Sequence, residues 1–116
     1  MKTFASIFIL LLSLAGLQAQ TAPAGVWNTG QDNTLVEITN VEGRYVGKLI
    51  SSDSPNAKIG NLLLKDLKPN GGAWKGQLYA PKRSAWYDAT VEVKGNRLVI
   101  KAGSGFTSKT VEWTRK

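Results

Sequence analysis

The sequence predicts an all-β domain built as a small antiparallel up-and-down barrel of eight short strands. Three observations carry that expectation. No window of about 11 residues keeps apolar positions at helical spacing, while β-branched and aromatic residues alternate with polar ones between Gly, Asn, Asp and Pro clusters. Two hairpins can be registered residue by residue from the sequence alone. The first and last strands carry Trp27 and Arg115, which become neighbours only if the sheet closes on itself.

The opening segment, MKTFASIFILLLSLAGLQAQ, has one lysine, an apolar run from Ile7 to Leu14 broken only by Ser13, and small residues at Ala15, Gly16 and Ala19. That order is expected of a secretory signal peptide over residues 1–19, cleaved after Ala19. The apolar run is shorter than the about 20 residues a membrane-spanning helix needs. With no cysteine in the chain, a lipid-modified cysteine anchor is excluded on chemistry. Residues 20–116 are therefore expected to form a single, monomeric domain, periplasmic or secreted, with no membrane anchor once the signal is removed. No disulfide is available to it, so apolar burial and backbone pairing must hold the fold. The whole chain carries a net charge of +7, which becomes +6 without Lys2. Such a surface attracts anionic partners or simply keeps the protein soluble.

Strands are expected to begin at Val26, Leu35, Arg44, Leu62, Ala73, Ala85, Arg97 and Thr110. In LVEITNVEGRYVGKLI, a two-residue loop at Glu42-Gly43 sets Val36 opposite Leu49, Ile38 opposite Gly47 and Asn40 opposite Tyr45. Glu37 then meets Lys48 on the other face. Gly47 opposite Ile38 predicts a bend or a close contact. Leu62 to Leu67 runs into KPNGG, a turn by composition, and AWKGQLYA leaves it. Pro81 to Ser84 separates that strand from AWYDATVEV. In VEVKGNRLVIK, Gly95-Asn96 favours a tight primed turn. Val93 then faces Leu98, Val91 faces Ile100 and Ala89 faces Ala102, so one face is apolar throughout and a one-residue slip would scramble both faces. TVEWTR closes the chain.

Eight such strands form either a sandwich or a closed barrel. The last strand favours closure. Val111, Trp113 and Arg115 share one face, and an arginine on an inward face needs to reach the rim or stack on an aromatic. With first and last strands adjacent, Arg115 covers the indole of Trp27 and caps one end, and Gly25 lets the backbone pass close by. Gly25, Trp27, Trp113 and Arg115 are thus expected to be closure residues and not a ligand site.

The chain contains neither His nor Cys, so the commonest acid-base group, the thiol nucleophile and the best transition-metal ligands are missing. Asp32, Asp53, Asp66 and Asp88 fall in or beside expected turns, and Glu37, Glu92 and Glu112 on outward faces. DSPN offers too few oxygens in a row for a calcium loop, and KPNGG precedes no helix that would make it a phosphate loop. No enzyme, cofactor or metal is expected.

Two binding readings remain. In the first, a small apolar or amphipathic ligand lies inside the barrel against Ile38, Tyr45, Leu49, Trp74, Leu78, Tyr87, Val91 and Ile100, positions that equally suit an ordinary filled core. In the second, a filled barrel works through its surface. There Trp86 points outward beside Lys82 and Arg83, with Lys75 nearby, toward an anionic envelope component or a protein partner. Single-stranded nucleic acid fits poorly with an exported protein, and no nucleic acid is expected.

Gly-x-Trp on the first strand with an arginine on the last resembles the lipocalin (calycin) signature. GVWNT, VEITNVEGRYVGKLI, GNLLLKDLKPNGGAWKGQLYAP and VEWTR further resemble, in order, the segments of a bacterial exported family known as domain of unknown function 2147. That resemblance covers the whole mature chain and implies a lipocalin-like barrel with no settled activity. Two features depart from the family pattern: Ala80 stands where Asp usually precedes the proline, followed by KRS instead of an early glycine, and the loop around DSPNAKIG is short.

Overall fold

The computed structural model describes residues 21–103 and 108–116, so the expected signal peptide lies outside the described residues. Eight strands follow one another: β1 (Gly25–Asn28), β2 (Leu35–Val41), β3 (Arg44–Ser51), β4 (Leu62–Asn70), β5 (Ala73–Ala80), β6 (Ala85–Lys94), β7 (Arg97–Ala102) and β8 (Lys109–Arg115). Each pairs antiparallel with the next, and β8 pairs back onto β1 to close the barrel. β1 starts one residue before the expected Val26, and β8 one before Thr110.

The registered hairpins follow the alternation of their residues. Val36 faces Leu49, Ile38 faces Gly47 and Asn40 faces Tyr45. Val93 faces Leu98, Val91 faces Ile100 and Ala89 faces Ala102. At the β2–β3 turn Glu42 and Gly43 both have positive φ, and the Asn40 Oδ1 accepts a hydrogen bond from the Gly43 N–H. Positive φ at both central residues matches the right-handed twist of the strands it joins.

β4 departs from expectation in two ways. It continues through Lys68, Pro69 and Asn70, which pair with Lys75, Trp74 and Ala73, so the turn is only Gly71-Gly72. Pro69 is tolerated because β3 pairs with β4 only as far as Leu67, and the missing N–H breaks no ladder beyond that point. Second, Asp66, expected in or beside a turn, sits in a bulge with φ 58°. Lys65 pairs with Gln77 and Lys68 with Lys75, which leaves Asp66 and Leu67 opposite Gly76 alone. The extra residue shifts the side-chain phase, so Leu64 and Leu67 both point inward although they are three apart. Asp88 likewise lies within a strand, β6.

The core runs through the barrel centre. Val36, Leu64, Leu67, Val91, Leu98 and Ile100 are 0% exposed, so no water-sized space adjoins them. Gly47 is buried where Leu64 and Val36 approach, at 3.1 Å from a Cβ built on it. Glycine is needed there to let the side chains of the two neighbouring strands, β2 and β4, close over it.

Candidate functional site

The two ends of the barrel are built differently. One end gathers the chain entering β1, the three tight hairpin turns and the C-terminus; the other gathers the β1–β2, β3–β4, β5–β6 and β7–β8 connections.

The first end is shut by residues 21–24, a strap that sequence reasoning missed. Pro23 is fully buried, and its carbonyl accepts a hydrogen bond from Trp27 Nε1 at 2.9 Å. Trp74 Nε1 donates to the Thr21 carbonyl at 3.2 Å, and Tyr45 meets the Trp74 ring edge-on at 5.0 Å. The indoles of Trp27 and Trp74 thus each have a partner for the N–H. Arg115 completes the closure. Its Cζ lies 4.2 Å over the Trp27 ring, and its Nη1 donates to the Ala24 carbonyl at 3.1 Å. Gly25, at φ 135°, holds a backbone conformation that side chains resist, and a Cβ there would strike Arg115 Nη1. Trp113 sits alongside, 6% exposed and paired with Leu98.

The β1–β8 seam is the shortest ladder in the barrel, pairing only Trp27 with Arg115 and Asn28 with Thr114. Arg115→Ala is therefore expected to cost about 1–2 kcal/mol, a fall of roughly 4–15 °C in Tm by calorimetry, without altering affinity for a ligand bound elsewhere. An unchanged melting temperature would show that the stack carries no closure energy.

The eight inward candidates share the barrel interior but divide by depth. Ile38, Val91 and Ile100 are fully buried, and Leu49 and Trp74 nearly so. Tyr45, Leu78 and Tyr87 are partly exposed. Leu78 pairs with both Leu64 and Tyr87, on the side nearer the loop-bearing end.

That second end holds a cleft of about 650 Å³. Its walls are Leu49, Ala57, Leu62, Leu63, Tyr79, Pro81 and Trp86, with Asn56, Lys58, Asn61 and Lys82 among them. The β3–β4 loop over it is tied down by two backbone bonds, Leu49 N–H to Asn61 carbonyl at 2.9 Å and Gly60 N–H to Leu49 carbonyl at 2.7 Å. Further bonds join this loop to the β1–β2 loop: Asn33 Nδ2 donates to Asp53 Oδ2 at 2.6 Å, and the Thr34 and Ser52 hydroxyls are 2.7 Å apart.

Trp86 lies on the outer face, as its alternation with inward Tyr87 requires, but it is half-buried. Its partners are Tyr79, with ring centroids 5.3 Å apart, and Lys65, whose Nζ sits 4.2 Å above the indole. Lys65 was not among the sequence candidates. Its signal lies in the pairing of Lys65 with Gln77, two residues from Tyr79 on the same face. Lys82 and Arg83 are exposed in the adjoining turn. Lys75, expected near Trp86, is instead four residues along β5 from Tyr79, about 13 Å away at strand rise. The structure therefore groups Trp86 with Tyr79, Lys65 and Lys82, and leaves Lys75 with a different set of side chains.

Among the described residues no group of three or more Asp, Glu, His or Cys is placed to hold a metal ion. Cleft chemistry comes from aromatic faces, aliphatic walls, lysines and amides.

Residues 25–115 match the family model described as "Uncharacterized protein conserved in bacteria (DUF2147)". Among solved structures the fold is similar to that of protein HP1028 from the human pathogen Helicobacter pylori, which is described as belonging to the lipocalin family. The two are 22% identical, 84% of each chain is covered, and the TM-score is 0.65. No curated protein matches the chain.

Proposed function

Because the chain belongs to this uncharacterised bacterial family and has a lipocalin-like barrel, we propose that it is a non-catalytic carrier or sensor of a small amphipathic molecule, working outside the cytoplasm. We place the ligand in the cleft at the loop-bearing end. One contrast supports this position: the barrel centre is filled, with six side chains at zero exposure, whereas the cleft keeps space against Leu62, Leu63, Tyr79 and Trp86. Apolar walls take the body of the ligand, and Lys58 and Lys82 favour an anionic head group. The signal-like segment supports export, and the lack of His and Cys supports binding without catalysis.

Native mass spectrometry of protein purified from its own host's extracytoplasmic fraction tests this reading. The expected result is an excess mass that disappears on denaturation and is lost from Trp86→Ala. An excess mass retained undiminished by Trp86→Ala would place the ligand elsewhere.

A further inference from the structure

A second, chemically different surface lies on the outer wall of β4 to β7. The registers align Lys68 with Lys75, Lys75 with Thr90, and Thr90 with Lys101, all on outward positions. The row therefore crosses four strands, about 4.8 Å apart, with lysines on the first, second and fourth. The three lysines are exposed, and all line one open groove of about 860 Å³.

The row gathers cations with no carboxylate paired to them among the described residues. Several cross-strand neighbours elsewhere carry opposite charges: Glu37 faces Lys48, Arg44 bridges to Asp66 at 3.4 Å, and Arg97, which faces Lys94, is offset by its bridge to Glu112 at 3.5 Å. Here Lys68 directly opposes Lys75, an arrangement that costs stability, and none of the three lysines has an ion pair among the described residues. Carboxylates do reach the groove. Asp66 is engaged by Arg44, and Asp88 sits across from Gln77, off the lysine row.

The remaining lining identifies the partner's chemistry. Asn70, Gln77, Thr90 and Ser108 supply amides and hydroxyls, and no described residue lining the groove is aromatic. A surface without stacking rings does not suit exposed nucleobases, and one without large apolar side chains does not suit insertion into a lipid interface. Charge complementarity with hydroxyl-binding groups suits a hydrated polymer bearing regularly spaced anions. The geometry points to an acidic polysaccharide, laid across the strands with its carboxylates on Lys68, Lys75 and Lys101.

The test compares two charge-matched triple variants by fluorescence anisotropy with labelled polygalacturonate oligomers at a series of salt concentrations. One is Lys68→Gln/Lys75→Gln/Lys101→Gln; the other is Lys48→Gln/Lys94→Gln/Lys116→Gln, which removes three exposed lysines outside the groove. The row variant is expected to bind about tenfold more weakly or worse, with a flatter salt dependence, while the control changes by less than about twofold. Circular dichroism melting of the row variant at or above wild type shows that the loss is not unfolding, since a like-charge pair has been removed. Equal losses in both variants reduce the effect to net charge and overturn the assignment. So does the absence of polygalacturonate binding by the wild type at low salt, or tighter binding to duplex DNA than to polygalacturonate. Retention of the cleft ligand by the row variant in native mass spectrometry separates this surface from the cleft.

Discussion

Gly76→Ala is expected to lower the melting temperature by roughly 12–24 °C, corresponding to about 3 kcal/mol for a domain of this size. Gly76 faces the two-residue bulge in β4. A Cβ on it would run into the Lys65 carbonyl oxygen and come within 2.8 Å of Leu67 Cδ2 and 2.9 Å of the Leu67 backbone nitrogen. Two of those atoms are main chain, so no side chain can swing aside, and relief requires undoing the bulge. Without the bulge Leu67 leaves the interior, and a side chain that is 0% exposed in the native fold loses its burial. Thermal denaturation by circular dichroism reads the effect directly. A shift of only a few degrees would mean that β4 and β5 part to admit a methyl group.

The second large effect is expected at Trp27. Replacement by alanine removes an indole with no exposed surface, its bond to the Pro23 carbonyl and the platform under Arg115. Large aromatic truncations in cores cost about 3–5 kcal/mol, a large part of the about 5–15 kcal/mol that holds a typical domain. Because Arg115 acts through Trp27, the two changes should not add: Trp27→Ala/Arg115→Ala should be little less stable than Trp27→Ala alone. Full additivity in urea denaturation would show the two residues to act independently.

These residues differ in how far the sequence exposes them. The β2–β3 and β6–β7 hairpins were legible because strict two-residue alternation meets a two-residue turn, and any slip would bury charge. Barrel closure was legible for a similar reason, since Arg115 on an inward face has few places to go. The β4 bulge was not. LLLKDL has no clean two-residue alternation that would locate it, and only the structure shows that Asp66 takes a positive φ and turns Leu67 inward. The strap at Thr21–Ala24 was hidden too, because short polar and proline segments carry no periodicity, and its role depends on indole N–H groups far along the chain.

The candidate sites divide the same way. Alternation places Ile38, Tyr45, Leu49, Trp74, Leu78, Tyr87, Val91 and Ile100 on one face, but it cannot measure how tightly that face packs. Sequence proximity grouped Lys75 with Trp86, whereas strand register sends Lys75 to Lys68 and Lys101 and brings Lys65 over Trp86. Cross-strand neighbours decide surface chemistry in a barrel, and those depend on every register shift between the strands.

Chemical-shift mapping of the isotopically labelled protein, titrated with the anionic amphiphile anilinonaphthalene sulfonate, tests most directly whether the cleft and not the barrel centre receives the ligand. Shifts concentrated on Leu62, Leu63, Tyr79 and Trp86, with Ile38, Val91 and Ile100 unmoved, are the predicted result. Shifts centred on Ile38, Val91 and Ile100 would show that the core opens to admit the probe, and would contradict it.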